Sequence, residues 1–229
     1  MRLTSSGFIS NRSIHNNIRS TVMAVAMMTT IMSAAVMTSS CSKEQPKEYL
    51  PADSTVVALG DSLTYGYGAT PQTSYPAILG ELTGWQVINA GVNGNTSADV
   101  LARSAAIIAQ NPDLVLLGVG GNDVLRRTES MTTKANITAT IATIKAANIP
   151  VVLIAEPHFS SSALFGKASD NPIYKEIAAS EEIPLYSKGW SQVLSDDSLK
   201  SDQIHANAAG YRHFAQGLYA FLQDEGLAR

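Results

Sequence analysis

The pattern that most narrows the fold of this chain is an alternation between short runs of β-branched and aliphatic residues and longer stretches of helical period. Four strand runs are clear, Thr55–Leu59, Gln86–Asn89, Asp113–Val119 and Pro150–Ala155, and Ile183–Tyr186 is a weaker fifth. Between them Ile137, Ile141 and Ile144 recur at i, i+4 and i+7, and Leu101, Ala105 and Ile108 mark an earlier apolar stripe. Both stripes are expected in the core. A final segment places Tyr211, Phe214, Leu218, Phe221 and Leu222 on one face, as a helix closing on a sheet would. Strands separated by helices pair in parallel, because a parallel connection needs a crossover of a dozen or more residues. The expectation is an α/β domain with a parallel sheet of about five strands, and 229 residues fit a single core.

Residues 1–40 have a different composition. Arg2, Arg12 and Arg19 are their only charged residues, and 21–37 is almost wholly apolar or small. This reads as a secretory signal, since a membrane-spanning helix needs about 20 apolar residues. A retained transmembrane anchor is the weaker alternative. Thr38-Ser39-Ser40-Cys41 ends the segment, and Cys41 is the only cysteine, so no internal disulfide can form. Small residues before a lone Cys resemble the lipobox of bacterial lipoproteins, with Thr38 where those proteins carry Leu. That resemblance implies lipidation at Cys41 and a periplasmic protein held to the membrane by an N-terminal lipid. Cleavage near Ser33-Ala34-Ala35, leaving a soluble periplasmic protein with a free thiol, stays open. Residues 41–54 carry two prolines and unpatterned charge and read as a tether, leaving 55–229 as the folded domain. Loss of three arginines with the signal takes the formal net charge from −3 to −6. An acidic domain without a Lys/Arg stripe excludes nucleic acid as the expected partner.

Three of the four clear strands stop at polar, glycine-bearing loops: Gly60-Asp61-Ser62, the stretch from Asn89 to Asn95 around Gly91, and Gly120-Gly121-Asn122-Asp123. In an open parallel sheet ligands bind beyond the carboxyl ends of the strands, so three such loops on one edge suggest a built site. An Asp202-x-x-His205 pair follows near the C-terminus. A serine hydroxyl is a weak nucleophile until a base takes its proton, and histidine is the usual base. Ser62 with the distant His205 and Asp202 therefore suggests a serine hydrolase. Taken singly, Ser62 could be a helix cap, His205 a surface histidine, Asp202 a solvated carboxylate, and Gly91 and Asn122 turn residues.

The four blocks Gly60-Asp61-Ser62-Leu63, Gly91 in its Asn-rich loop, Gly120-Gly121-Asn122-Asp123 and Asp202-x-x-His205 resemble those of SGNH (GDSL-type) hydrolases, over about residues 55–222. The likeness is greatest to bacterial periplasmic esterases, thioesterases and lysophospholipases. It implies a three-layer α/β/α, flavodoxin-like fold and an exported carboxylic ester hydrolase working through an acyl-enzyme. On that resemblance Ser62, His205 and Asp202 form the catalytic triad. The N–H groups of Ser62 and Gly91 and the side-chain amide of Asn122 form the oxyanion hole. Asp123 is expected to brace the following segment. Ala206 stands where the family often has Pro, which implies a looser histidine loop.

No cofactor is called for. The glycines around Gly118 do not have dinucleotide-binding spacing, and Glu156 and His158 lack the further His or Cys that a metal site would need. Phe159, Leu164 and Phe165, with Tyr65, Tyr67 and Tyr75, are read either as an apolar acyl or alkyl cleft for an ester or lipid-like substrate or as ordinary core cover. Two rivals remain: a cell-envelope carbohydrate O-deacetylase on the same fold, and a non-catalytic lipid-tethered binding protein. No feature of the sequence specifies an oligomeric state.

Overall fold

The computed structural model describes residues 49–158 and 167–229. The signal segment, Cys41, most of the tether and the apolar residues Phe159, Leu164 and Phe165 lie outside the described residues.

Five parallel strands, β1 (Thr55–Gly60), β2 (Gln86–Gly91), β3 (Leu114–Gly118), β4 (Val151–Ile154) and β5 (Leu185–Tyr186), form one sheet in the order β2-β1-β3-β4-β5. This is the doubly wound, flavodoxin-like order. The helices are α1 (Ser62–Tyr65), α2 (Tyr75–Thr83), α3 (Ser97–Ile108), α4 (Gly121–Leu125), α5 (Ser130–Ala146), α6 (Ile173–Glu181), α7 (Gly189–Val193) and α8 (Ala208–Asp224). None of the described helices is long and apolar enough to cross a membrane.

The pleat of each central strand sorts its side chains into two cores, as a period of two requires. Val56 and Ala58 of β1, Leu114 and Leu116 of β3, and Val152 and Ile154 of β4 face α2, α7 and α8. Val57, Leu59, Val115, Leu117, Val151 and Leu153 face α3, α5 and α6. The first core is aromatic, with Trp190 stacked on Phe214 at 3.6 Å between ring centres and Tyr75 edge-on to both. The second is mainly aliphatic. Helices on both faces complete the three layers.

The helical stripe on α5 and the apolar face of α8 pack as their spacing requires, with Ile137, Ile141, Ile144, Tyr211, Phe214, Leu218 and Leu222 buried. The stripe on α3 is displaced. Ala105 is exposed, and the buried face runs through Ser97, Val100 and Ser104. Two serines at the inner positions hide that face from a reading based on hydrophobic period. β5 is shorter than its sequence run, because Pro184 has no N–H and offers only its carbonyl, which accepts from the Leu153 N–H at 3.0 Å.

The domain also begins earlier than residue 55. The Leu50 N–H donates to the Leu227 carbonyl at 3.0 Å, Leu50 packs on the first core, and Ser54 is buried with its carbonyl on the Gln86 N–H. The last residues of the expected tether are therefore part of the fold. The carboxyl ends of β1, β2 and β3 meet at paired glycines: Gly60 lies opposite Gly91 on one side and Gly118 on the other. A Cβ on Gly60 would come within 2.2 Å of the Gly118 carbonyl, and one on Gly91 within 2.1 Å of the Tyr65 nitrogen. Backbone approaches this close admit only glycine, and they seat α1 directly on the sheet edge.

Candidate active site

Strand order reverses between β1 and β3, and α1 leaves the sheet at that point. Asp61 ends the strand and caps α1, its Oδ1 accepting the Leu63 N–H at 3.0 Å. Ser62 is thereby fixed at the first position of α1, half-buried, at the mouth of a small cleft of about 20 Å³. Leu63, Gly121, Asn122, Leu125, Ile204 and His205 complete its lining with Asp61.

The loop ahead of α8 brings His205 to Ser62 across 143 residues of sequence, with Nε2 3.0 Å from Oγ. On the other side of the ring, Nδ1 lies 2.8 Å from Asp202 Oδ2 and 3.0 Å from Oδ1. Asp202 Oδ1 also accepts the Ile204 and His205 N–H groups at 2.9 and 2.8 Å, so the carboxylate folds its own loop while holding the imidazole. Partial burial pulls the Asp202 carboxyl upward, but hydrogen bonds from the His205 ring and the two N–H groups outweigh it and hold the carboxyl below its ordinary value. The loop is closed by a bridge between Lys200 and the fully buried Ala206, and the Tyr67 ring lies 4.4 Å from the imidazole. Ala206 in place of Pro therefore leaves a well-tied loop.

Asn122 is also at the cleft, its Nδ2 donating to the Asn95 carbonyl at 3.0 Å and to Asp61 Oδ2 at 3.2 Å. Gly91 is not brought in as a free donor. Its N–H gives to the Asn89 side chain at 3.0 Å, and its α-carbon packs beneath Tyr65. Glycine at 91 is accounted for by the seat of α1, since a Cβ there would run into the Tyr65 backbone. Asp123 reaches the following helix only through the Thr133 hydroxyl at 3.3 Å, and chiefly braces the start of the preceding α3, taking the Ser97 N–H and hydroxyl at 2.7 and 2.6 Å. Tyr75 is wholly buried in the aromatic core, so of the three tyrosines read as cleft residues only Tyr65 and Tyr67 reach the surface. A larger cavity, about 550 Å³, lies elsewhere, along Ala168–Asp170 and Lys188–Ser195, and includes none of these residues.

The sequence of residues 58–213 matches the GDSL-like lipase/acylhydrolase family. The chain belongs to that family. It is 32% identical over 181 residues to thioesterase 1/protease 1/lysophospholipase L1 of Escherichia coli, covering 75% of this chain and 85% of that protein. It is also 32% identical over 166 residues to an arylesterase of Vibrio mimicus, covering 67% of this chain and 80% of the relative. In fold it is similar to the psychrotrophic esterase EstA from Pseudoalteromonas sp., with a TM-score of 0.65 at 24% identity over 76% of this chain and 98% of that one.

As a member of this serine hydrolase family, the chain carries site residues that its motifs alone do not announce. Arg103 of α3 donates to the Gly60 carbonyl at 2.7 Å and to Asn95 Oδ1 at 2.8 Å, tying the second loop to the end of β1. Beneath the cleft, Glu156 follows β4 and accepts the Gly121 N–H at 2.7 Å. Burial pushes the Glu156 and Asp61 carboxyls upward, Glu156 well above its usual range, and the charge of Asp61 raises Glu156 further. A glutamate closing the apolar run Val151–Ala155 is the one signal by which sequence could have found it. Among the described residues, no cluster of His, Cys, Asp and Glu is arranged to hold a metal.

Proposed function

We propose that this protein is an exported carboxylic ester hydrolase of the arylesterase, acyl-thioesterase or lysophospholipase kind, working through an acyl-enzyme on Ser62. The observation that carries the reading is the 3.0 Å approach of His205 Nε2 to Ser62 Oγ, with Asp202 on Nδ1. In that arrangement His205 takes the hydroxyl proton as Oγ attacks the substrate carbonyl. The negative charge on the carbonyl oxygen is met by the Ser62 N–H and by the Asn122 amide, one of whose N–H groups turns to it from the Asn95 carbonyl while the other stays on Asp61, each such donor worth about 2.7–4 kcal/mol. Collapse of the tetrahedral adduct expels the alcohol or thiol, which leaves with the proton from His205. A water then repeats the sequence on the acyl-enzyme and releases the acid. Asp202 holds the ring so that Nε2 faces the serine and stabilises the imidazolium that forms.

A cleft of about 20 Å³ accommodates the reacting carbonyl and little else. The rest of the substrate lies over the rim, where Tyr65, Tyr67 and Leu125 are about half exposed. A rim of this kind suits an acyl or aryl group. An unbroken Asp202–His205–Ser62 chain likewise favours hydrolysis over a decayed scaffold that only binds. Anchoring through Cys41 at the periplasmic face of a membrane belongs to the same proposal and rests on the sequence pattern alone. Mass spectrometry of the mature N-terminus tests it, a diacylglyceryl mass on Cys41 being expected.

Reaction with a fluorophosphonate probe, followed by turnover of aryl esters from acetyl to long acyl, tests the enzymology. Wild type should label at Ser62 and Ser62→Ala should not. An optimum at acetyl would remove the lipid-like substrate from the reading, and equal labelling of both proteins would end it.

A further inference from the structure

Asp61 and Glu156 are 2% and 1% exposed and each acts on the other's ionisation, and two buried carboxyls in mutual reach are not both kept as anions: one of them carries a proton. Their other contacts show where the proton belongs. Asp61 has an amide donor on each oxygen, the Leu63 N–H on Oδ1 and the Asn122 Nδ2 on Oδ2. Glu156 has one on Oε2, from Gly121, while its buried Oε1 receives none. A carboxylate holding two N–H donors is the stabilised anion, and an oxygen with no donor is the place for a hydroxyl.

Among the described residues no cation acts on the pair. The acid that acts on both groups is Asp123 of α4, already committed to Ser97 and Thr133. Tyr174 of α6 acts with both carboxyls and Tyr211 of α8 with Asp61, and their hydroxyls donate to the Val119 and Tyr67 carbonyls. The hydroxyl of Tyr75, from α2, is paired with Thr64. Arg103 of α3 is engaged by the Gly60 carbonyl and Asn95.

We propose that Glu156 is a positioning residue for the reaction at Ser62: protonated on Oε1 and donating to Asp61, it keeps Asp61 an anion that fixes the Asn122 amide, while its Oε2 fixes Gly121 beside it. The inference rests on the reading of Ser62 as nucleophile and Asn122 as oxyanion donor. It adds a second ionisation to the site. When pH rises far enough to take the shared proton, two buried anions face each other near a third, and the Gly121–Asn122 segment loses its hold.

The test compares Glu156→Gln and Glu156→Ala with wild type in kcat and KM across pH, and in thermal melts across the same range. The Gln amide keeps a donor toward Asp61 and an acceptor for Gly121, and it has no proton to lose. Glu156→Gln is therefore expected to stay within about twofold of wild-type kcat at neutral pH and to lack the alkaline fall in kcat that wild type shows. Glu156→Ala is expected to lose on the order of 10²-fold in kcat with KM little changed, the scale of a displaced catalytic group.

The melts carry a sign of their own. A carboxyl whose folded-state pKa is raised loses its contribution to stability as pH climbs toward that value, whereas Gln loses nothing. The Tm of Glu156→Gln minus that of wild type should therefore grow steadily from weakly acid to alkaline pH. A difference that stays flat overturns the shared proton. Equal damage from Gln and Ala, or a KM change in place of a kcat change, overturns the positioning role. Wild type that hydrolyses no ester overturns the hydrolase reading and the positioning role with it, while the melts judge the shared proton independently.

Discussion

The site has two halves built from the same chemical group. In the open half, Asp202 stands on a surface loop with its side chain 46% exposed, and donors from His205 and Ile204 hold it ionised. In the closed half, Asp61 and Glu156 are buried, and desolvation pushes both toward the protonated form. Residue type therefore does not decide which carboxyl is anion and which is acid. The balance of donors against lost water does. The stability consequences are opposite in sign. A depressed carboxyl such as Asp202 contributes above its unfolded value and is lost as pH falls through the folded one, whereas the raised pair costs stability as pH rises. The fold is thus weakened from the acid side by its open half and from the alkaline side by its closed half.

Substitutions break this comparison at different depths. Ser62→Ala should cost the most, on the order of 10⁶-fold in kcat on an aryl ester, because without the nucleophile neither half has a reaction to serve. Residual turnover within tenfold of wild type would mean that hydrolysis occurs elsewhere. Asp202→Asn comes next, with a fall of about 10²–10⁴-fold, since the ring loses the partner that fixes its tautomer. In the same variant the acid limb of the stability curve should flatten, and the alkaline limb should not move. If the alkaline limb moved instead, the two halves would be one coupled network. Asp123→Asn leaves the acid limb alone and removes the third charge near the buried pair, so it should only ease the alkaline limb. It replaces one acceptor oxygen by a donor facing Ser97 or Thr133, which should cost about 1–3 kcal/mol in urea unfolding and leave kcat within a few fold.

Much of the open half is legible in the sequence, because residue types that are ambiguous singly fall in order at loops: Ser62 after β1, Asn122 after β3, and Asp202-x-x-His205 ahead of α8. The sheet is legible for the same reason, since its buried strands are short and continuous in apolar residues. The closed half is not. A buried Glu after β4 looks like any acid at the start of a loop, and only the three-dimensional meeting of β1 and β4 residues around β3 reveals its partner. At Gly91 the sequence shows that something approaches closely but not what. Glycine in an Asn-rich loop suggests approach to a ligand, but the backbone it admits is that of α1. On α3, Ser97 and Ser104 occupy core positions because Asp123 and the Leu101 carbonyl satisfy their hydroxyls, a compensation that hydrophobic period cannot register.

The smallest effect tests what anchors the open half. Tyr67 is 48% exposed and its ring lies against His205 at 4.4 Å, while its carbonyl is held by the Tyr211 hydroxyl at 2.8 Å. That backbone bond survives loss of the side chain, so Tyr67→Ala removes one face of the imidazole's packing without moving the loop. An aromatic contact of this kind is worth about 0.5–1.5 kcal/mol, which corresponds to roughly a two- to tenfold fall in kcat/KM on a single ester. Tyr67→Phe should recover it, because the ring and not the hydroxyl makes the contact. A loss from Tyr67→Ala as large as that from Asp202→Asn would show that the exposed carboxylate is secondary and that ring packing holds the base. A loss confined to long-acyl esters, with acetyl esters unaffected, would place Tyr67 on the substrate and leave Asp202 as the only group orienting the histidine.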